Sequence, residues 1–183
     1  EAVVEFRDGS AEKRRIAKRY RVPALDQRLI AERTRAEARL IAAARRAGVP
    51  TPVIHDMTPD TIVMEQVTGP LLTQDLSEDT VREAGRMTGK LHRAGIMHGD
   101  LTTSNIIHAE GRCVLIDFGL AQVTSEVEQQ GVDLHVLFQT LESTTSASAS
   151  LKKAFIEGYH AVYEGAGNAI TREHEIELRG RYL

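Results

Sequence analysis

The run His98-Gly99-Asp100-Leu101-Thr102-Thr103-Ser104-Asn105, followed by Ile116-Asp117-Phe118-Gly119, constrains this chain more than any other feature. Asn105 stands five positions after Asp100, and Asp117 stands seventeen after it. The interval holds one short hairpin: Ile106-Ile107-His108, a turn through Glu110-Gly111, then Cys113-Val114-Leu115-Ile116. A hairpin of that length predicts that Asp100, Asn105 and Asp117 meet at one mouth. Phosphoryl transfer from Mg-ATP asks for such a group: one aspartate meets the attacking hydroxyl, while an asparagine and a second aspartate hold the metal ions that bridge the phosphates. An Asp-Phe-Gly tripeptide alone is a weak signal, but the two segments at this spacing predict an ATP-phosphotransferase fold.

At 183 residues and 42% hydrophobic, the chain is long enough for one domain or two small lobes sharing a cleft. No apolar run approaches the length of a membrane span and no signal-like segment is present, so a soluble cytoplasmic protein with no membrane partner is expected. The single cysteine, Cys113, falls in a predicted strand; it excludes an internal disulfide and reads as core packing. The seven histidines form no zinc-type cluster, and His98 alone stands beside the motif, where it is expected to brace the loop. Charge is uneven: residues 1 to 46 hold thirteen Lys or Arg against seven Asp or Glu, and the remainder holds ten against nineteen. That asymmetry fits a polyanionic partner for the first part or, equally, an arginine-rich solvated helix. The 4% aromatic content argues against stacking platforms for single-stranded nucleic acid.

Along the chain, Val3-Val4-Glu5-Phe6 alternates like a strand, Asp8-Gly9-Ser10 reads as a turn, and a second strand carries Lys13 toward Ile16. A long helix is predicted from about Asp26 to Ala47, with Leu29, Arg33, Glu37, Leu40, Ile41 and Ala44 near one face. Glu37 then points inward among apolar neighbours and needs a cation; Lys13 is the first candidate and Lys18 the second. Strands near Val53 to Met57 and Thr61 to Glu65 lead into a hinge, Gln66-Val67-Thr68-Gly69-Pro70. A helix from Glu78 to Ala94 presents Val81, Ala84, Thr88 and Leu91 at helical spacing, and Gly95 stops it. Val132 to Leu141 reads as a buried helix, Thr144 to Ser150 as a small polar loop, and Leu151 to Glu164 as a last helix before a polar tail. The expected class is α+β: a reduced bilobal kinase-like fold, with a small antiparallel sheet and one long helix in an N-lobe over 1-67 and a truncated, mainly helical C-lobe over 68-183.

These residues resemble, over essentially the whole length, the small atypical kinases of the KEOPS complex, the family related to the p53-regulating kinase. The matching segments run in order: Lys18-Arg19-Tyr20-Arg21 with Pro23 and Leu25-Asp26, Arg33-Thr34-Arg35 with Glu37-Ala38, and His98 through Asn105. Asp117 to Leu120, Val132-Asp133-Leu134-His135, Leu141-Glu142-Ser143, Gly158-Tyr159 and Leu178-Arg179-Gly180-Arg181 follow. The resemblance implies a serine/threonine kinase or ATPase that uses ATP and Mg and supports the threonylcarbamoyladenosine modification of tRNA, bound to the tRNA threonylcarbamoyltransferase and other KEOPS subunits. It implies that Lys13 holds the phosphates, Glu37 orients Lys13, Asp100 is the base, and Asn105 and Asp117 bind Mg. It further implies that Glu65 and Val67 offer backbone groups to adenine, that Met64 gates the pocket behind, and that Asp133 braces the catalytic loop. The basic N-lobe and the Arg179 and Arg181 tail are expected to face a partner or tRNA.

Three departures accompany the resemblance. The chain begins at Glu1-Ala2, which resembles the end of the family's Gly-Ala-Glu-Ala turn, so a Gly-rich loop is expected to be incomplete. Ser10-Ala11-Glu12 before Lys13 is less apolar than the family's strand. Gly99 replaces the arginine that clamps a phosphorylated activation loop in ordinary protein kinases, and about fourteen residues separate Gly119 from Asp133, leaving little surface for a peptide substrate. Two other classes share part of this pattern. A small-molecule phosphotransferase shares His-Gly-Asp, but the 66 residues after Asp117 leave no space for an acceptor-binding insert. A non-catalytic scaffold that binds tRNA or a partner would not need the three phosphate-end residues intact.

Overall fold

The computed structural model describes residues 2–180. Its N-terminal part is a four-stranded antiparallel sheet made of β1 (Ala2–Arg7), β2 (Ser10–Arg15), β3 (Ile54–Met57) and β4 (Thr61–Glu65), in the order β1-β2-β4-β3. One long helix, α1 (Pro23–Arg46), crosses between β2 and β3.

Helix α1 starts three residues before the predicted Asp26, because Pro23 occupies its first turn, where the missing N–H is no loss and the fixed φ suits a helix. Asp26 serves instead as a buried anchor: its Oδ2 accepts the Lys18 backbone N–H at 2.8 Å and its Oδ1 accepts Arg21 Nη1 at 3.1 Å, tying the preceding loop to the helix. The inward face of α1 runs through Asp26, Thr34, Glu37, Ile41 and Ala44. Arg33, expected on that face, is exposed, which is where an unpaired guanidinium remains hydrated.

The second part is mainly helical. A 3₁₀ turn at Leu72–Gln74 precedes α2 (Glu78–Arg93), whose N-cap Ser77 accepts the Thr80 N–H at 3.1 Å. All four apolar positions expected of α2 are buried, at Val81, Ala84, Thr88 and Leu91. Short strands β5 (Ile96–Met97) and β8 (Gln122–Val123) pair across the segment that carries Asp100, and β6 (Ile106–Ala109) with β7 (Arg112–Leu115) forms the predicted hairpin. Its turn residues Glu110 and Gly111 have φ of 51° and 74°, the pair of positive angles that a tight two-residue connection demands.

Helices α3 (Val127–Thr144), α4 (Ser148–His160) and α5 (Ala166–Gly180) complete the fold. Two expectations are corrected here. The polar stretch Thr144 to Ser150 is partly helical, with 145 to 147 between α3 and α4, and the Thr140 and Thr144 hydroxyls bond to carbonyls inside their own helix. The residues read as a polar tail form α5, which buries Ala166, Ala169 and Glu173 against α3, where Glu173 Oε1 lies 3.2 Å from His135 Nδ1. Arg179 is therefore helical and pairs with Glu128 and Glu175 instead of projecting in a basic tail. Arg181 and Glu1 lie outside the described residues. Among the described residues no helix is long and apolar enough to cross a membrane.

The core is continuous from α1 to the helical part. Ile41 and Ala44 of α1 meet Val49 and Leu72, then Val81, Leu91, Leu101, Ile106, Leu115, Phe118, Leu134, Phe155 and Tyr159. Burial of that set, with Ile54 of β3 packed against it, holds the sheet and the helices in one arrangement, so residues from both ends of the chain converge with defined geometry.

Candidate functional site

The segment that carries Asp100 hangs from a buried carboxylate. Asp133 of α3, 1% exposed, accepts the His98 backbone N–H at 2.6 Å on Oδ2 and the Gly99 N–H at 2.8 Å on Oδ1. Its Oδ2 also lies 3.2 Å from His92 Nε2, and His92 Nδ1 lies 2.7 Å from the Tyr159 hydroxyl. The chain thus reaches Asp100 from a support that spans α2, α3 and α4. Gly99 is required by this path: its φ is +78°, and a Cβ there would sit 2.4 Å from the Leu120 carbonyl oxygen. The glycine that replaces the usual arginine is in this fold a steric necessity.

His98 is buried, with Nε2 3.0 Å from the Ile116 carbonyl oxygen and its ring edge-on to Phe118 at 5.2 Å. It ties the loop to the strand end that carries Asp117. Asn105, at the end of the 3₁₀ turn Thr103–Asn105, donates Nδ2 to the Asp100 carbonyl oxygen at 2.8 Å and to Asp100 Oδ2 at 3.0 Å. Its own carbonyl accepts the Ile116 N–H at 3.0 Å. Asp100, Asn105 and Asp117 are linked through these bonds and the β6–β7 hairpin.

Asp117 has φ +60°, the left-handed region that aspartate tolerates better than most residues and that recurs at functional sites. Its Oδ1 accepts the Gly119 N–H at 3.1 Å and Lys13 Nζ at 2.6 Å. Burial pushes the Asp117 carboxyl up, but the Lys13 ammonium, by hydrogen bond and by charge, together with the Gly119 N–H, outweighs it, so its pKa lies below the ordinary value.

Lys13 bridges to α1 as well: Nζ is 2.6 Å from Glu37 Oε1. Of the two lysines considered, Lys13 takes this place; Lys18 sits in the loop before α1, its N–H held by Asp26. The second oxygen of Glu37, Oε2, accepts Arg15 Nη2 at 2.5 Å. Lys13 and Arg15 share a face of β2 because strand side chains alternate, with Arg14 between them exposed.

Lys13, Glu37, Asn105 and Asp117 form the polar end of a cleft of about 180 Å³ between sheet and hairpin. Val4, Ala11, Ile41, Met64, Ile107 and Ile116 supply apolar walls, and Glu65 and Val67 border it where the chain crosses to the helical part. Because Asn105 commits Nδ2 to Asp100, Oδ1 is its atom available to a cation, beside the half-exposed Asp117 carboxylate. One amide oxygen and one carboxylate match the few protein ligands that Mg takes when phosphates supply the others.

Three contributors went unrecognised in the sequence: Arg15, His92 and Tyr159. Arg15 stands in the basic run Lys13-Arg14-Arg15, where its i, i+2 relation to Lys13 was the available signal. His92 and Tyr159 come from different helices, and no local spacing joins them.

The sequence matches the RIO domain family over residues 2–136. A probable bifunctional tRNA threonylcarbamoyladenosine biosynthesis protein of Methanoculleus marisnigri is 67% identical over 183 residues, covering 100% of this chain and 35% of that protein. This chain therefore spans about a third of the length of that relative. A probable serine/threonine-protein kinase BUD32 homolog of Archaeoglobus fulgidus is 49% identical and is covered over 93% of its own length. Among solved structures, WaaP in complex with acyl carrier protein superposes with a TM-score of 0.65 at 20% identity, over 96% of this chain and 83% of that one. The macrolide 2'-phosphotransferase MphH of Brachybacterium faecium gives 0.58 at 17% identity, over 89% and 74%. At such identities the two structures speak for a shared kinase-like fold alone.

Proposed function

The chain belongs to the RIO domain family, in the branch of the BUD32-like kinases, and from that premise we propose that it is a Mg-ATP-dependent phosphotransferase or ATPase acting in threonylcarbamoyladenosine modification of tRNA. The observation that carries the reading is the convergence of Lys13, Glu37, Asn105 and Asp117 on one cleft from segments as distant as β2 and the β6–β7 hairpin, with Asp100 held beside it through its bond to Asn105.

Each residue has a role that its contacts support. Asp100, with Oδ2 held by Asn105, is the base that takes the proton of the attacking hydroxyl or water on its other oxygen. Lys13, kept extended by Glu37, presents its ammonium to the phosphates, and Glu65 and Val67 border the adenine with Met64 behind. Asn105 Oδ1 and Asp117 would hold Mg, which when bound neutralises charge on the phosphates. We assign residues 1-67 to the N-lobe and 68-183 to the C-lobe, with the cleft between them.

The partner reading rests on the relatives. Proteins named for tRNA threonylcarbamoyladenosine biosynthesis contain a segment 67% or 60% identical to this chain within a longer polypeptide. A threonylcarbamoyltransferase subunit is accordingly the proposed partner. An Asp100→Asn chain tests the catalytic part: loss of ATP hydrolysis and of the tRNA modification in a reconstituted assay is expected, and full modification by the variant would overturn the reading.

A further inference from the structure

Glu37 is 2% exposed, yet two cations reach it. Lys13 takes Oε1 and Arg15 takes Oε2, and both cationic side chains are only 10% exposed. Lys13 is also shared with Asp117 at 2.6 Å. The four side chains form a balanced set of two positive and two negative charges, in which Lys13 alone touches both anions.

This arrangement separates the two cations by task. A buried carboxylate that loses its only cation is left uncompensated, a strongly destabilising state. If Lys13 were the sole partner of Glu37, turning its ammonium toward a phosphate would cost part of that compensation. Arg15 removes the conflict, because its single charged contact to Oε2 is kept whichever way Lys13 points. Both cations also flank the turn at Asp117: a Cβ on Gly119 would lie 3.7 Å from Lys13 Nζ and 3.8 Å from Arg15 Nη2.

We propose that Arg15 is a positioning residue that holds Glu37, and with it α1, inward as a second counter-ion, so that Lys13 is released to the phosphates of the nucleotide. The role of Lys13 toward phosphate rests on the functional reading above; the hold on Glu37 does not. One consequence follows for control of the site. An α1 anchored by Arg15 stays docked when Lys13 is engaged elsewhere, so the cleft is assembled before a nucleotide arrives.

The test has a ligand-free and a ligand-bound arm, both on the full chain. In thermal denaturation, Lys13→Met and Arg15→Gln are each expected to lower Tm modestly, and the double variant to lower it by clearly more than the sum, since only then is Glu37 left without a cation. Adding Glu37→Gln to the set is expected to abolish that excess. Mg-ATP binding well below Tm is expected to weaken about fivefold or more in Arg15→Gln and to recover in Arg15→Lys, a pattern that general loss of packing would not produce. Additive losses of Tm, or unchanged Mg-ATP affinity in Arg15→Gln, would overturn the proposal. A wild-type chain that fails to bind Mg-ATP would instead overturn the nucleotide reading, while the Tm cycle still decides whether Arg15 holds Glu37.

Discussion

Asp133 Oδ2 accepts the backbone N–H of His98 at 2.6 Å, so a side chain from α3 fixes the residue two positions before Asp100. Together with the bond from Gly99 to Oδ1, this uses both carboxylate oxygens as acceptors. Asn at this position keeps one acceptor and turns a donor toward the other N–H. Asp133→Asn is expected to destabilise the fold by about 1–3 kcal/mol, the range for leaving a buried donor unpaired. Denaturant unfolding of the two chains measures it, and equal midpoints would contradict the support assigned to Asp133.

Gly99 admits no side chain. Both its φ of +78° and the 2.4 Å approach of a Cβ to the Leu120 carbonyl penalise any replacement. Gly99→Ala is expected to lose about 2 kcal/mol or more, and Gly99→Arg to lose at least as much despite restoring the residue usual in protein kinases. Thermal unfolding of both variants is the check; an arginine variant as stable as wild type would refute the steric reading.

Much of this geometry was legible in the sequence, and the parts that were not have physical reasons. The β6–β7 hairpin, the strands of the N-terminal sheet and the Lys13–Glu37 contact follow from short-range spacing and from the need of an inward glutamate for a cation. Helix α5 was hidden because its buried stripe is made of Ala166, Ala169 and Glu173, two small side chains and one charged one, while Arg172, His174 and Glu175 dominate its composition. The burial of Glu173 becomes intelligible only with His135, a residue 38 positions away. The support under the catalytic loop was half legible. Asp133 and Tyr159 each stood in a segment of the family resemblance, but Tyr159 and His92 reach Asp133 only after α2 and α4 have packed.

Acid should weaken the Lys13–Asp117 link in a defined direction. The Asp117 pKa lies below its ordinary value of 3.8, so the carboxylate binds protons less readily in the folded chain than in the unfolded one. The stability contributed is present above the unfolded pKa and is lost as pH falls through the lower folded value. The stability difference between wild type and Asp117→Asn is therefore expected to hold near neutrality and to shrink below pH 3.8. Asn tolerates the left-handed backbone, so the substitution isolates the charge. Unfolding curves of both chains from pH 7 to 3 test this, and a difference that widens in acid would contradict it.

Cys113 is 1% exposed, and burial, with the charges of Glu83 and Asp75, pushes its thiol up to about 12. The thiolate is the reactive form, so native protein at pH 8 is expected to resist iodoacetamide, and denatured protein to be labelled at one site. Mass spectrometry after each treatment decides it; rapid labelling of the native chain would show the β7 core to be open.

Mg-dependent ATP turnover by the full chain, alone and with a threonylcarbamoyltransferase subunit, tests the central claim most directly, with Asp117→Ala measured alongside. Turnover that requires Mg, rises with the partner and is lost in Asp117→Ala is expected. Turnover in Asp117→Ala equal to wild type, or none in any chain that binds Mg-ATP, would contradict the assignment of this cleft to phosphoryl transfer.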